Sequence, residues 1–105
     1  MTDQKTPQHI RVDLNNPVFQ RQLFNLSKSE QHSTLTTLRK LATMTWQQVY
    51  VDYGLRWEVV LSRRGPGGNK LYSFRIGKGF RGIAYRDGEW LRLLSLHPDH
   101  DSAYQ

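Results

Sequence analysis

The C-terminal half of the chain contains three short apolar segments separated by turn signals, and this pattern restricts the fold most strongly. In the first segment, 71–76, Tyr72, Phe74 and Ile76 fall on one face of a strand while Ser73 and Arg75 fall on the other. The Asp-Gly step at 87–88 is a strong signal for a two-residue hairpin turn. We therefore predict an antiparallel meander, preceded by a strand or the lead into one at 57–61. Its strands and turns are predicted at 71–76, 77–79, 80–86, 87–88 and 90–96.

The first half of the chain has helical periodicity instead. Asn16-Pro17 is typical of a helix start, because Asn caps free backbone N–H groups and Pro fits the first turn. We expect two helices, or one broken helix, over 17–43, and a short helix from Trp46 to about Asp52 behind the cap Thr45. The apolar residues at helical spacing are Val18, Phe19, Leu23, Leu26, Leu35, Leu38, Leu41 and Ala42.

Helices followed by a meander predict a single α+β domain over residues 1–105, with two N-terminal helices packed on a small antiparallel β-sheet. Residues 1–15 are expected to be a polar leader or a first short strand, at about 10–14. One face of the sheet would then be left to solvent or to a ligand. Arg75, Arg81 and the cations of the loop 63–70 are expected to line this open face.

The chain is basic, with a net charge of +6, and the charge is concentrated in one stretch. Residues 56–86 hold eight Lys or Arg and one acid, Glu58, whereas residues 87–105 hold one Arg and four acids. This pattern favours a polyanionic partner such as nucleic acid. The chain has no cysteine, which excludes disulfides and cysteine-ligated metals. With no apolar run long enough to span a membrane and no visible secretory signal, we expect a cytoplasmic protein without a membrane partner.

Several cations are candidates for phosphate contacts. The glycine-rich loop 63–70 carries Arg63, Arg64 and Lys70, although it lacks the spacing of a nucleotide-binding loop. Arg81 follows a turn glycine and an aromatic residue at the start of a strand. Its planar guanidinium would suit the charge that develops during phosphoryl transfer, and a plain surface charge is the alternative.

His97 and His100 follow the last strand, beside Asp99 and Asp101. Such groups can ligate zinc or manganese, but no further ligand stands out, so we predict no metal site. Histidine titrates near neutral pH, which makes both residues candidates for general acid–base chemistry. The alternative is a solvated polar tail.

The run LYSFRIGKGFRGIAYRDGEWLRLLSLH, residues 71–97, resembles the sheet of the RelE/ParE toxin superfamily. Phe80-Arg81 matches the aromatic–arginine pair that follows a turn in that family, and 97–104 matches its terminal His, Arg or Tyr cluster. The two N-terminal helices also fit its order. Family members that cut RNA through lysines carry a lysine pair on the strand before the turn, where this chain has Ser73 and Arg75.

The resemblance implies the toxin of a type II toxin–antitoxin system, a metal-independent endoribonuclease that needs no cofactor. Its implied partners are mRNA on the ribosome, where flanking phosphates would be held by Arg75 and Lys78, and an antitoxin that covers the basic face. The RNA 2′-hydroxyl would attack the adjacent phosphate while the 5′-oxygen leaves.

The resemblance also implies roles for the catalytic residues. Arg81 would stabilise the phosphorane charge, and His97 or His100 would act as the acid or the base. Tyr104 would orient or stack a base.

Two other functions remain open from the sequence. A ParE-like toxin would bind DNA gyrase without nuclease chemistry. A basic nucleic-acid-binding module could instead stack bases on Tyr72, Phe74 and Phe80, but the periodicity places at least two of these residues in the core.

Overall fold

The computed structural model describes residues 8–99, which form a five-stranded sheet and three α-helices. The predicted α+β class is therefore confirmed. In chain order the elements are β1 (Arg11–Asp13), α1 (Pro17–Asn25), α2 (Lys28–Ala42), α3 (Trp46–Val51), β2 (Glu58–Arg64), β3 (Lys70–Gly77), β4 (Phe80–Asp87) and β5 (Trp90–His97).

Each helix begins at a capping residue. The Asn16 side chain accepts hydrogen bonds from the backbone N–H groups of Val18 and Phe19, at 2.9 and 3.0 Å. Ser27 forms a reciprocal capping box with Glu30 and starts α2, so 17–43 holds two helices. Thr45 caps α3 as predicted. These side chains satisfy backbone donors that have no partner within the helix.

The face of α2 that is buried differs from the predicted one. Thr34, Leu38 and Leu41 are buried, whereas Leu35 is 55% exposed. The spacing 34–38–41 follows one helix face, and Leu35 lies about 100° further around it. Thr34 can be buried because its hydroxyl donates to the Glu30 carbonyl at 2.8 Å.

The strand order is β1-β5-β4-β3-β2. Strands β2 to β5 form the predicted antiparallel meander, and β1 adds to β5 in parallel. Asp87 pairs with Trp90, so the hairpin loop is Gly88-Glu89, one residue later than predicted. Gly88 supplies the positive φ, 62°, that such a turn requires.

The predicted loop 63–70 is shorter than expected. Both β2 and β3 extend into it, since Arg64 pairs with Lys70 across the two strands. The backbone N–H of Gly65 closes the remaining loop by donating to the Asn69 carbonyl at 2.8 Å. Regular pairing of β2 is interrupted between Val60 and Arg64, and this irregularity bends the strand end.

The two faces of the sheet are covered differently. The helix-covered face packs against α1, α2 and α3 through the main core, which includes Phe19, Leu41 and Phe74. The open face has a small apolar cluster of its own. Its members are Val60, Leu71 and Ile83, with Tyr85 and Leu94 packed against them.

A β-bulge in β5 changes which residues reach each face. Ser95 pairs with Ile83 and Leu93 with Ala84, so Leu94 is an extra residue on β5. Leu93 and Leu96 belong to the helix-covered core, whereas Leu94 packs against the open-face cluster. Ser95 and His97 therefore lie on the open face.

Candidate active site on the open face

Three of the predicted site residues lie side by side on adjacent strands of the open face. Arg75 on β3 pairs with Arg81 on β4, and Arg81 pairs with His97 on β5. Directly paired residues in antiparallel strands project to the same face about 5 Å apart. With Arg63, these three residues form what we call the basic site.

His97 is held in a half-buried position. Its Nε2 atom and the Ser95 hydroxyl are hydrogen-bonded at 2.8 Å. Burial lowers the pKa of His97 below its usual value, and the positive charge of Arg63 lowers it further. The imidazole is therefore neutral at pH 7 in the free protein. An anion bound at this position would favour the protonated form instead.

Arg81 is buried, with only 5% of the residue exposed. Its guanidinium donates to the Arg56 carbonyl at 3.4 Å and lies 3.9 Å from a carboxylate oxygen of Glu58. The side chain thus extends over β3 on the open face and reaches the start of β2. In this arrangement Arg81 contributes positive charge from below the surface, while the more exposed Arg63 and Arg75 are accessible to a ligand.

Glu58 is a candidate that the sequence analysis did not single out. Its carboxylate is 53% exposed, and it starts β2 on the open face, opposite Ser73. The signal in the sequence was its position as the single acid among residues 56–86. Glu58 and His97 lie on strands three strand spacings apart, about 14 Å across the sheet, and His97 is two residues further along its strand than the position in register with Glu58. The two side chains flank the space above Arg75 and Arg81.

The irregular end of β2 brings further cations over the open face. Arg63 and Arg64 line a pocket of about 310 Å³ with Leu94 and Ser95. The loop packs closely here, because a Cβ on Gly65 would lie 2.3 Å from a methyl of Leu71. The pocket leads from the β2–β3 loop to the strand that carries His97.

The remaining predicted cations are more dispersed. Lys70 and Arg64 line a separate cleft of about 360 Å³ along β2, beside Tyr72. Lys78 is exposed in the β3–β4 turn, at the end of the sheet where Arg81 and His97 lie. The structure therefore groups Arg63, Arg75, Arg81 and His97, and places Lys70 apart from them.

The positive character of the open face is local. At its other end Arg92 forms ion pairs with Asp13 at 2.6 Å and with Asp87 at 3.0 Å. Hydrogen bonds from the Asn15 backbone and from Arg92 lower the pKa of Asp13. This end is neutralised by carboxylates, so an anion is attracted to the basic site instead.

Two predicted site residues, His100 and Tyr104, lie outside the described residues. Within residues 8–99, no cluster of three or more His, Cys, Asp or Glu side chains could hold a metal ion. No helix in this part of the chain is long and apolar enough to cross a membrane. Phe74 and Phe80 are buried in the core, and Tyr72 stacks on Trp57 at 4.9 Å, so base stacking on these three aromatic residues is not supported.

Comparison with solved structures identifies the fold. A chain of the archaeal RelE–RelB complex from Pyrococcus horikoshii is similar, with a TM-score of 0.56 and 18% identity over 89% of this chain and 96% of that one. A copper-bound mutant toxin from Helicobacter pylori has a TM-score of 0.50 and 16% identity over 89% and 97%. No protein-family model and no curated protein matches the sequence. The chain has a RelE-like fold, as the resemblance predicted.

Proposed function

We propose that the chain is the toxin of a type II toxin–antitoxin pair, and that it cleaves mRNA on the ribosome without a metal ion or cofactor. The observation that carries this proposal is the alignment of Arg75, Arg81 and His97 on one face of a RelE-like fold, with Glu58 at its edge. An RNA phosphate at the basic site would meet cations on several sides and a titratable group at each end.

The proposed reaction is an internal transfer. The Glu58 carboxylate takes the proton of the 2′-hydroxyl, and the 2′-oxygen attacks the adjacent phosphorus. The bond from phosphorus to the 5′-oxygen breaks, and protonated His97 gives its proton to that oxygen. The products are a 2′,3′-cyclic phosphate and a 5′-hydroxyl, so atoms and charge balance.

The electrostatics of the site support these roles. The negative phosphate would offset the charge of Arg63, which in the free protein opposes protonation of His97. Substrate binding would therefore convert the neutral imidazole into an acid. Arg63 and Arg75 would hold the phosphate oxygens, and Arg81 would stabilise the developing charge from beneath. Arg64, Lys70 and Lys78 would contact flanking phosphates, and His100 and Tyr104 stay proposals from the sequence.

A second partner follows from the same charge distribution. We propose that an antitoxin with an acidic segment covers the basic site, as one basic surface cannot bind RNA and the antitoxin together. The solved RelE–RelB complex supports a protein partner for this fold.

The experiment is cleavage of mRNA on programmed ribosomes by purified protein, with mapping of the new ends. His97→Ala and Glu58→Gln should each lower the cleavage rate about 10²- to 10⁴-fold, the usual contribution of a general acid or base. His32→Ala and Glu89→Gln, which change exposed residues elsewhere, are the matched controls.

Two results would contradict the proposal. If His97→Ala and Glu58→Gln both cleave like their controls, the assigned site is wrong. If the wild-type protein arrests growth with intact mRNA and induces a DNA-damage response, the gyrase-binding alternative replaces the nuclease.

A further inference from the structure

An exposed aromatic side chain stands on a rigid loop beside the proposed active site. In the loop 52–57, between α3 and β2, Tyr53 is 97% exposed. The backbone around it is well anchored. The Asp52 carboxylate accepts from the Leu55 N–H at 2.9 Å and from Lys40 at 3.2 Å. The buried Leu55 in turn accepts from the Arg75 N–H at 2.6 Å.

The same loop contains an unusual backbone conformation. Arg56 has a φ of +48°, and it is the non-glycine residue with a positive φ among residues 8–99. Such conformations persist only when the surrounding structure imposes them. The Arg56 carbonyl accepts the hydrogen bond from Arg81, so the strained residue connects the loop to the basic site.

The loop forms one wall of a cleft of about 700 Å³. Its lining combines exposed aromatic and aliphatic surface from Tyr50, Val51 and Tyr53 with one cation, Arg56, and with the carboxylate of Asp52, whose charge is paired with Lys40. Glu58 closes one end of the cleft, and its carboxylate faces Arg81. The cleft and the proposed active site are therefore continuous through a shared residue.

We infer that this cleft binds a nucleobase of the RNA strand, next to the phosphate that is cut, with the base stacked on Tyr53. The inference rests on the proposed function. An aromatic ring fixed by a rigid loop can accept the face of any unstacked base, and Arg56 can contact its phosphate or stack on it. A single-stranded RNA segment is the expected occupant, because only an unpaired base can leave its own stack to enter such a cleft.

The test is binding of a fluorescent RNA oligonucleotide that carries 2′-O-methyl groups and so cannot be cut. Tyr53→Ala should weaken binding about five- to 150-fold, which corresponds to the usual energy of one base–aromatic stack. Tyr53→Trp should bind at least as tightly as the wild type, because it keeps the stacking surface. Phe24→Ala, which removes another exposed aromatic residue on α1, is the matched control and should bind like the wild type.

A second oligonucleotide separates stacking from a general structural effect. It lacks one base, and a series of such oligonucleotides is prepared in which the position of the missing base moves along the strand. At one position the wild type should lose affinity as Tyr53→Ala does with intact RNA. Combining that oligonucleotide with Tyr53→Ala should cause no further loss.

The outcomes distinguish this inference from the proposed function. Equal binding by Tyr53→Ala and the wild type, with His97-dependent cleavage intact, would overturn the base-binding cleft alone. Additive losses at every abasic position would also overturn it. If the wild-type protein neither binds nor cuts RNA, both proposals fail together.

Discussion

The two faces of the sheet bury different kinds of side chain. On the helix-covered side the fully buried residues are apolar, as Phe19, Leu41 and Phe74 illustrate, apart from Thr34, whose hydroxyl donates to the Glu30 carbonyl within its own helix. On the open face, by contrast, Ser73, Arg81 and Ser95 are buried beside a small apolar cluster. Burying polar groups costs free energy unless they are hydrogen-bonded, and here Ser95 bonds to His97 while Arg81 donates to the Arg56 carbonyl. The contrast indicates that one face holds the fold together while the other arranges charged groups for a ligand.

The largest effect is expected from the helix-covered face. Phe74 is fully buried at its centre, and Gly82 leaves the space that its ring occupies, since a Cβ there would lie 2.4 Å from the ring. Phe74→Ala should lower the free energy of unfolding by about 3–5 kcal/mol, because it removes apolar burial and leaves a cavity. Urea unfolding measures this loss. Phe74→Leu is the control and should lose less, and equal losses would show that this face does not depend on close packing.

A smaller effect on stability is expected on the open face, where activity should change instead. Arg81→Met keeps the length and removes the charge of a buried side chain whose partners are distant, at 3.4 and 3.9 Å. Since the carboxylate left behind, Glu58, is 53% exposed and can be solvated by water, the free energy of unfolding should change by no more than about 1 kcal/mol. RNA cleavage should fall at least about tenfold. If Arg81→Met destabilised the protein as much as Phe74→Ala, the proposed difference between a face for stability and a face for activity would be wrong.

The smallest expected effect is a difference in pH dependence. Burial lowers the pKa of His97 in the folded protein, so the unfolded state takes up the proton first as the pH falls. This part of the stability is complete above the unfolded value, 6.5, and is lost as the pH falls towards the folded value. Between pH 7 and about pH 5.5 the wild type should therefore lose more stability than His97→Gln. Unfolding by urea at each pH checks this, and parallel curves would contradict it.

In this pH range the contribution of His97 to stability can be distinguished from those of the carboxylates Asp13 and Asp52. Hydrogen bonds from Asn15 and Arg92 lower the pKa of Asp13, and those from Leu55 and Lys40 outweigh burial to lower that of Asp52. Their contributions to stability are lost only as the pH falls further, towards their own lower range.

The sequence predicted the order and type of the elements because local signals specify them. Capping residues and apolar spacing place the helices, and alternation with turn glycines places the meander. Sequence periodicity could not show that β1 pairs in parallel with β5, since that pairing joins residues about 80 positions apart. The extension of β2 to Arg64 was also missed, because its cross-strand pairing with Lys70 outweighs the local preference for a loop.

The candidate site was predicted less completely than the fold. The alternation in the strands was enough to expect Arg75 and Arg81 on the open face. The burial of Arg81 and its approach to Glu58 depend on a third strand, so no local pattern could reveal them. Tyr53 lies in a loop whose shape depends on the contacts of Leu55 and Arg56 with distant strands.

The extra residue in β5 has a further consequence for how this chain tolerates change. If residues 93–97 alternated regularly, without the bulge, Ser95 and His97 would face the helix-covered core and Leu96 would face outward. The bulge thus absorbs one inserted residue, so the histidine at the end of β5 stays on the open face while the earlier half of the strand is anchored in the core. Deleting Leu94 would therefore make the pairing regular and leave Ser95 and His97 on the side they occupy now.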